Sequence, residues 1–258
     1  TENERTTDMA HVTVKGLVIR ETDFGEADRY ITVLTAELGK IEVLCRGIRR
    51  KKGRLANAVG LFCYSEFTLF SGRRYTLSDA EIDTQFWGIT GNIEQYALCC
   101  YFAELVNMAA DADSDVSGLL PMFLRALYAL DRQKRPVQTV KAAFELRLAS
   151  ELGFSPDLTG CAVCGAAQCE AWSLLLENGA LVCSGCRKRV GGTYYDMPQG
   201  VLDAMRYILS CDGKRLFAFA VNAQTAEQLG LICERYLLYH LDVHCTTLDF
   251  YHSLFQMQ

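Results

Sequence analysis

Prolines and histidines are scarce here, four of each in 258 residues. No stretch approaches the roughly 18–20 uninterrupted apolar residues of a membrane span. With 50% hydrophobic and 22% charged residues, the balance also excludes a disordered or collagen-like chain. There is no G-x-x-x-x-G-K-[ST] loop and no G-x-G-x-x-G, so phosphoryl transfer and dinucleotide chemistry lack their usual phosphate cradle. Of the histidines (His11, His240, His244, His252), His240 and His244 are spaced i, i+4. Leu241 fills the glutamate position of H-E-x-x-H, so the pair reads as an ordinary helix end rather than a metal site. Ser65, Ser71 and Ser117 have no nucleophile elbow around them. The missing catalytic kit favours a binding protein over an enzyme. No charged segment followed by an apolar one opens the chain, so no secretory signal is expected. Met9 reads as an initiator, and the polar residues before it as a cloning remnant or a disordered arm. Residues 1–10 are therefore set aside.

Charge is unevenly spread. The chain carries 26 basic and 31 acidic residues, a net charge of −5. Six of the basic residues (Arg46, Arg49, Arg50, Lys51, Lys52 and Arg54) fall in one short segment with no acidic neighbour, leaving 20 against 31 elsewhere. Distribution matters more than the sum: this is one concentrated positive spot on an acidic body.

Residues 11–88 read as β. His11–Thr22, Tyr30–Thr35, Lys40–Cys45, Leu61–Phe70 and Tyr75–Ile82 alternate or are β-branched, with turns at Asp23–Glu26 and Gly72–Arg74. Five short strands in this length solve their edge problem by closing into a small barrel. An OB fold is the economical expectation, and an SH3-like barrel fits the pattern nearly as well. Residues 89–258 read as helical, with helices expected over Asn92–Ala112, Leu119–Leu130, Val137–Leu152, Pro198–Ser210, Gln224–Leu241 and Asp249–Phe255. A break is expected at Asp113–Asp115. The overall class is α+β: an N-terminal OB barrel, then a helical domain with an insertion over residues 157–192.

That insertion carries the most specific signal. Cys161-Ala-Val-Cys164 is followed, eighteen residues on, by Cys183-Ser-Gly-Cys186. Each C-x-x-C turn points two thiolates at one metal, and four sulfurs complete the tetrahedron that suits Zn²⁺. Gly165 and Gly185 would relieve the backbone where these turns bend. Four sulfur ligands leave no position for an activated water, so one structural zinc is expected, stapling a module too small for its own core. Ala171–Leu176 reads as a strand, ending in a turn at Glu177–Gly179. The other eight of the twelve cysteines mostly lie within apolar periods and read as buried thiols.

The basic segment follows the third expected strand, where loops of an OB barrel line the face used for nucleic acid. Arg73 and Arg74 would extend such a groove, and Phe62, Tyr64 and Tyr75 offer stacking faces. The alternative for the segment is a solvated charge run, and for the aromatics a place in the core.

Several motifs in order resemble one family. They are Val-Lys-Gly-Leu-Val-Ile-Arg (14–20); Asp-Phe-Gly-Glu-Ala-Asp-Arg (23–29), with Leu34-Thr35 and Gly39 after it; Cys-Arg-Gly-Ile-Arg-Arg (45–50); and Leu-Gly-Phe-Ser-Pro-Asp-Leu (152–158), just before the first cysteine pair. Together they resemble RecO, the bacterial recombination mediators of DNA repair, over residues 11 to about 245. The resemblance implies an OB fold, a helical domain and a zinc finger. It also implies binding of single- and double-stranded DNA and annealing of complementary strands without a nucleotide. Its implied partners are RecR, the C-terminal tail of single-strand-binding protein on the helical domain, and indirectly a RecA-type recombinase. The implied setting is the bacterial cytoplasm at the nucleoid, with no membrane partner. Arg46, Arg49, Arg50, Lys51, Lys52 and Arg54 carry over as DNA contacts. The acidity of the chain (pI ≈ 5.5) predicts weak or salt-sensitive DNA binding without RecR. Two other readings remain open. One is a zinc-ribbon RNA-binding or transcription-associated module without annealing activity. The other is an enzyme on the helical domain using His240 and His244.

Overall fold

The computed structural model describes residues 11–110 and 117–256. The expected arm over 1–10 and the helix break at Asp113–Asp115 lie outside the described residues. Two compact units emerge. One runs to Leu124 and takes in the C-terminal residues from Phe250; the other is Arg125–Asp249.

The first unit holds β1 (His11–Phe24), β2 (Asp28–Thr35), β3 (Lys40–Cys45), α1 (Arg54–Ala58), β4 (Tyr64–Ser71) and β5 (Tyr75–Thr84). α2 (Trp87–Thr90) and α3 (Ile93–Ala109) follow, and the unit boundary falls inside α4 (Leu119–Asp131). The five strands close in the order β1-β2-β3-β5-β4, with α1 between β3 and β4. This is the OB arrangement. Closure depends on a short parallel contact between β3 and β5, Val43 opposite Tyr75 and Leu44 opposite Thr76. Alternation decides the inside: Ile41, Val43 and Cys45 of β3 point inward with Val14, Val18, Ile31, Val33, Phe67 and Leu69.

β1 serves two neighbours, β2 and β4, because its register slips between Val18 and Arg20. Such a bulge bends the strand and increases its twist. At the bend Phe62 N–H donates to Val18 O at 2.9 Å and Val18 N–H donates to Cys63 O at 3.0 Å. Phe62 itself takes φ 62°, which no strand residue can hold. β4 therefore starts at Tyr64, three residues later than the alternation of Leu61–Phe70 predicted. Gly16 lies where β1 and β2 approach most closely. A Cβ there would sit 2.4 Å from Val33 Cγ1 and 2.9 Å from the backbone oxygen of Leu34. Since backbone cannot rotate away, Gly16→Ala is expected to cost about 1–3 kcal/mol by overpacking. A urea midpoint shifted down at unchanged slope checks this; an unchanged midpoint refutes it.

The second unit contains α5 (Val137–Glu151), β6 (Trp172–Leu175), β7 (Ala180–Cys183), β8 (Tyr194–Met197), α6 (Gln199–Ser210) and α7 (Ala223–Leu241). α8 (Thr246–Gln256) begins three residues before the expected Asp249 and crosses the unit boundary. Capping sets the limits. Asn222 accepts a hydrogen bond from Thr225 N–H at the start of α7, and Asn92 does the same for Gln95 at the start of α3. α5 ends before Gly153, at φ 89°. Between α5 and α7 lies a buried ion triad. Lys141 Nζ is 2.7 Å from Glu145 and 2.6 Å from Glu234. Burial alone would strip the Lys141 charge, but the two carboxylates outweigh it and hold its pKa up. β6 is the centre of a small antiparallel sheet, in the order β7-β6-β8. β7 and β8 have four residues each, too short for a period to show in sequence.

Candidate nucleic-acid groove and cysteine cluster

A groove of 680 Å³ opens on the barrel surface. Arg20, Arg73 and Arg74 line it together with Phe24, Tyr30 and Tyr75. β1 supplies Arg20 and Phe24, β2 supplies Tyr30, and the β4–β5 turn brings the two consecutive arginines. Arg74 Nη1 donates to the Tyr30 hydroxyl at 2.8 Å, which fixes a cation beside an aromatic face. Phe24 packs edge-on against Tyr30 with centroids 5.3 Å apart and stays 53% exposed, so its outer face is open to solvent. Cations that meet phosphates beside aromatic faces that meet bases are the two parts of a single-strand site.

Sequence reasoning missed Arg20, Phe24 and Tyr30. The available signal was the outward phase of β1 beyond its bulge, where residues 20, 22 and 24 are exposed. Of the aromatics it offered as stacking faces, Tyr75 lines the groove. Tyr64 does not line the groove. Phe62 is only 2% exposed and packs against Tyr96 and Phe123, so it is a core residue and not a stacking face.

The basic segment is divided by its partners. The backbone passes through Gly47 at φ 64°, a 3-10 turn at Ile48–Arg50 and Gly53 at φ 95° before entering α1. Arg49 is anchored: Nε lies 3.3 Å from Asp23 and Nη1 donates to Gly25 O at 2.9 Å. Arg50 pairs with Glu26 at 3.3 Å, and Arg54 pairs with Asp79 at 3.2 Å and Glu81 at 3.7 Å. Arg46, Lys51 and Lys52 are exposed and make no ion pair among the described residues.

In the other unit the Sγ atoms of Cys161, Cys164, Cys183 and Cys186 all lie within 4.8 Å of one another. The Cys164 to Cys183 separation is 3.8 Å. A tetrahedron with bonds of about 2.3 Å to sulfur has edges of about 3.8 Å, so this donor set fits a structural zinc. Two turns present the sulfurs. In the first, Gly165 adopts φ 72° and donates N–H to Cys161 O at 2.8 Å. In the second, Cys186 N–H donates to Cys183 O at 2.9 Å. Gly185 keeps an ordinary φ and a Cβ there would meet nothing, so glycine is required at 165 and not, as the sequence suggested, at 185. Desolvation alone would raise the Cys161 thiol, but backbone N–H groups of Cys183, Cys164 and Val163 aim at its sulfur and hold it down to about 6. Cys186 goes the other way, to about 12. Its proton is shared with Cys183 first, and then burial and the other two sulfurs oppose charging. A cation among them would remove that opposition.

His240 at the end of α7 and His244 in the connection after it have separate partners. His240 lies among Phe154, Tyr236 and Tyr239, while His244 is exposed and pairs with Asp249 at 3.0 Å. No helix among the described residues is long and apolar enough to cross a membrane.

A closed OB barrel with an arginine- and aromatic-lined groove, leading into a helical unit with a four-cysteine metal-compatible module, defines a multidomain α+β protein of the OB-fold class. Residues 9–86 match the family described as Recombination protein O N terminal, and residues 91–248 match Recombination protein O C terminal. The chain is similar to the DNA repair protein RecO of Acetivibrio thermocellus, with 33% identity over 95% of this chain and 98% of that one. It is also similar to those of Alkaliphilus metalliredigens (29%, covering 90% of this chain and 94% of that one) and Symbiobacterium thermophilum (29%, covering 95% and 98%). The chain belongs to the RecO family of DNA repair proteins.

Proposed function

We propose that this chain is a recombination mediator that binds single- and double-stranded DNA and anneals complementary strands without a nucleotide. With RecR it helps load a RecA-type recombinase onto DNA coated by single-strand-binding protein, whose C-terminal tail docks on the helical domain. It acts in the bacterial cytoplasm at the nucleoid. The observation that carries this reading is the barrel groove, where Arg20, Arg73 and Arg74 stand beside Phe24, Tyr30 and Tyr75. Arg46, Lys51, Lys52 and the loop arginines extend its positive field. The reaction needs no catalytic residue: neutralised phosphates repel each other less, and base pairing then nucleates. One structural Zn²⁺ on Cys161, Cys164, Cys183 and Cys186 completes the holoprotein.

The test mixes complementary labelled oligonucleotides, pre-coated with single-strand-binding protein, with zinc-replete protein and no nucleotide. Acceleration that vanishes at high salt is expected. No acceleration at low salt, with or without RecR, removes annealing. An RNA competitor that outperforms DNA would favour an RNA-binding module instead. The triple variant Arg46→Gln, Lys51→Gln, Lys52→Gln is expected to weaken binding to all sequences alike. It should flatten the plot of log K against log salt by roughly 2, at about 0.7 per phosphate on a single strand. An unchanged slope would remove these three residues from the interface.

A further inference from the structure

The turn between β1 and β2, Asp23-Phe24-Gly25-Glu26-Ala27-Asp28, is acidic and lies on the basic loop. Its contacts reach three loop residues, Gly47, Arg49 and Arg50. Asp28 Oδ1 accepts from Gly47 N–H at 2.7 Å, and Ala27 O accepts from Arg49 N–H at 3.0 Å. Gly25 O accepts from Arg49 Nη1 at 2.9 Å. The Asp23 carboxylate stands between two guanidinium groups, 2.9 Å from Arg29 Nε and 3.3 Å from Arg49 Nε. Glu26 takes Arg50 at 3.3 Å.

These carboxylates pair with the same guanidinium groups of Arg49 and Arg50 that a phosphate would have to engage. The two kinds of contact differ in depth. The backbone bonds fix where the loop runs, and a phosphate cannot replace them. The side-chain pairs are solvent-exposed, most of all Glu26 at 92%, so a competing anion can displace them without crossing a buried barrier. The same turn carries Phe24, which rims the groove. A base stacked on Phe24 and a phosphate on Arg49 or Arg50 therefore act on one six-residue turn.

We propose that Asp23 and Glu26 are resident phosphate mimics: an autoinhibitory clasp that a nucleic-acid strand must displace, and that sets both the affinity and the salt dependence of the groove. The inference rests on the DNA-binding reading above. A continuous strand presents phosphates in series and a base to Phe24 at once, so it can open the clasp. An isolated phosphate or nucleotide offers one contact and has to compete with two carboxylates. The clasp thereby favours strands over the free nucleotides that share their charge. It also accounts for a loop of six cations on a protein of net charge −5 without requiring all six to be available together.

The salt slope separates a clasp from a simple loss of negative charge. Binding of a single-stranded oligonucleotide is measured against salt for the full zinc-loaded chain, for Asp23→Asn/Glu26→Gln, and for a charge-matched control, Glu37→Gln/Glu66→Gln. Glu37 lies in the β2–β3 turn, and Glu66 of β4 stands opposite Lys15 of β1, which keeps its own partner Asp83 at 2.8 Å. Opening the clasp frees two more cations for phosphates. The double variant should bind about three- to tenfold tighter at low salt, with a slope steeper by roughly 1–1.4. The control should keep the wild-type slope. An equal steepening in the control, or an unchanged slope in the clasp variant, overturns the proposal. Should the double variant lose its melting transition, Glu26→Gln alone serves. Its gain should vanish in an Arg50→Gln background, and a gain that persists there also overturns the clasp. If neither wild type nor variants bind DNA, the DNA-binding reading falls and the clasp with it. Binding by the wild type with unchanged variants overturns the clasp alone.

Discussion

Cys164→Ser should lose its metal and unfold the cysteine module while the barrel unit still melts cooperatively. The module has three strands of four residues and a small core: Leu158, Trp172, Leu174, Leu175, Leu176, Leu181, Val182 and Met197 are its large buried apolar side chains. So small an apolar area falls short of the ordering cost of some thirty-five residues, a deficit that a bound metal would cover. Apparent binding energies of structural zinc are about 10–16 kcal/mol at neutral pH. Serine offers a poor ligand in place of a thiolate, so most of that contribution disappears. Metal analysis should fall from about one zinc per chain toward none, amide exchange should accelerate across β6–β8, and chelation of the wild type should reproduce both effects. Unchanged stoichiometry and melting in Cys164→Ser would refute the assignment. Cys169→Ser is the control, since its sulfur hydrogen-bonds Ala171 O rather than joining the cluster. It should keep its zinc.

The second large effect belongs to the triad of α5 and α7. Lys141→Met fits the space but leaves Glu145 and Glu234 buried without the ammonium between them. Breaking a buried pair by removing one partner costs about 3–5 kcal/mol, enough to lower a marginal stability by a large fraction. The pH dependence distinguishes this from a packing defect. In the wild type the Lys141 pKa is raised above its unfolded value of about 10.4. Its contribution is therefore fully present below that pH, and is lost only as pH rises through the folded value. In the variant the two carboxylates repel each other, so their folded pKa values rise. The deficit should then be largest near neutral pH and shrink as pH falls and one of them takes a proton. Denaturation midpoints between roughly pH 5 and 8 test this. A deficit that stays constant across the range would mean that volume, not charge, is at stake.

How much of this was legible beforehand depends on how far each feature reaches along the chain. The six long helices α3–α8 were, because a period of 3.6 and a capping residue such as Asn92 or Asn222 lie within one or two turns; α1 and α2, of five and four residues, are too short to show one. So were the strands with long alternation. β4 was misplaced at its start because apolar Leu61–Cys63 runs straight into the alternation that follows yet makes the turn that locks β1 at its bulge, with Phe62 at positive φ. The triad was not legible at all. Lys141 and Glu145 at i, i+4 look like a solvated surface pair. Their burial follows from α7, whose Glu234 is 93 residues away from Lys141.

Taken alone, the sequence determined the order of barrel, helices and insertion, and which four cysteines cluster. Periodicity, caps and the two C-x-x-C turns are local: each acts over a few residues through backbone geometry and side-chain spacing. Only the tertiary structure decided which cations face solvent and which face carboxylates, and that Arg20, Tyr30 and Arg74 share one groove. Closing the barrel brings β1, β2 and the β4–β5 turn together, and charge pairing acts through distance in space, which the chain's own order does not encode.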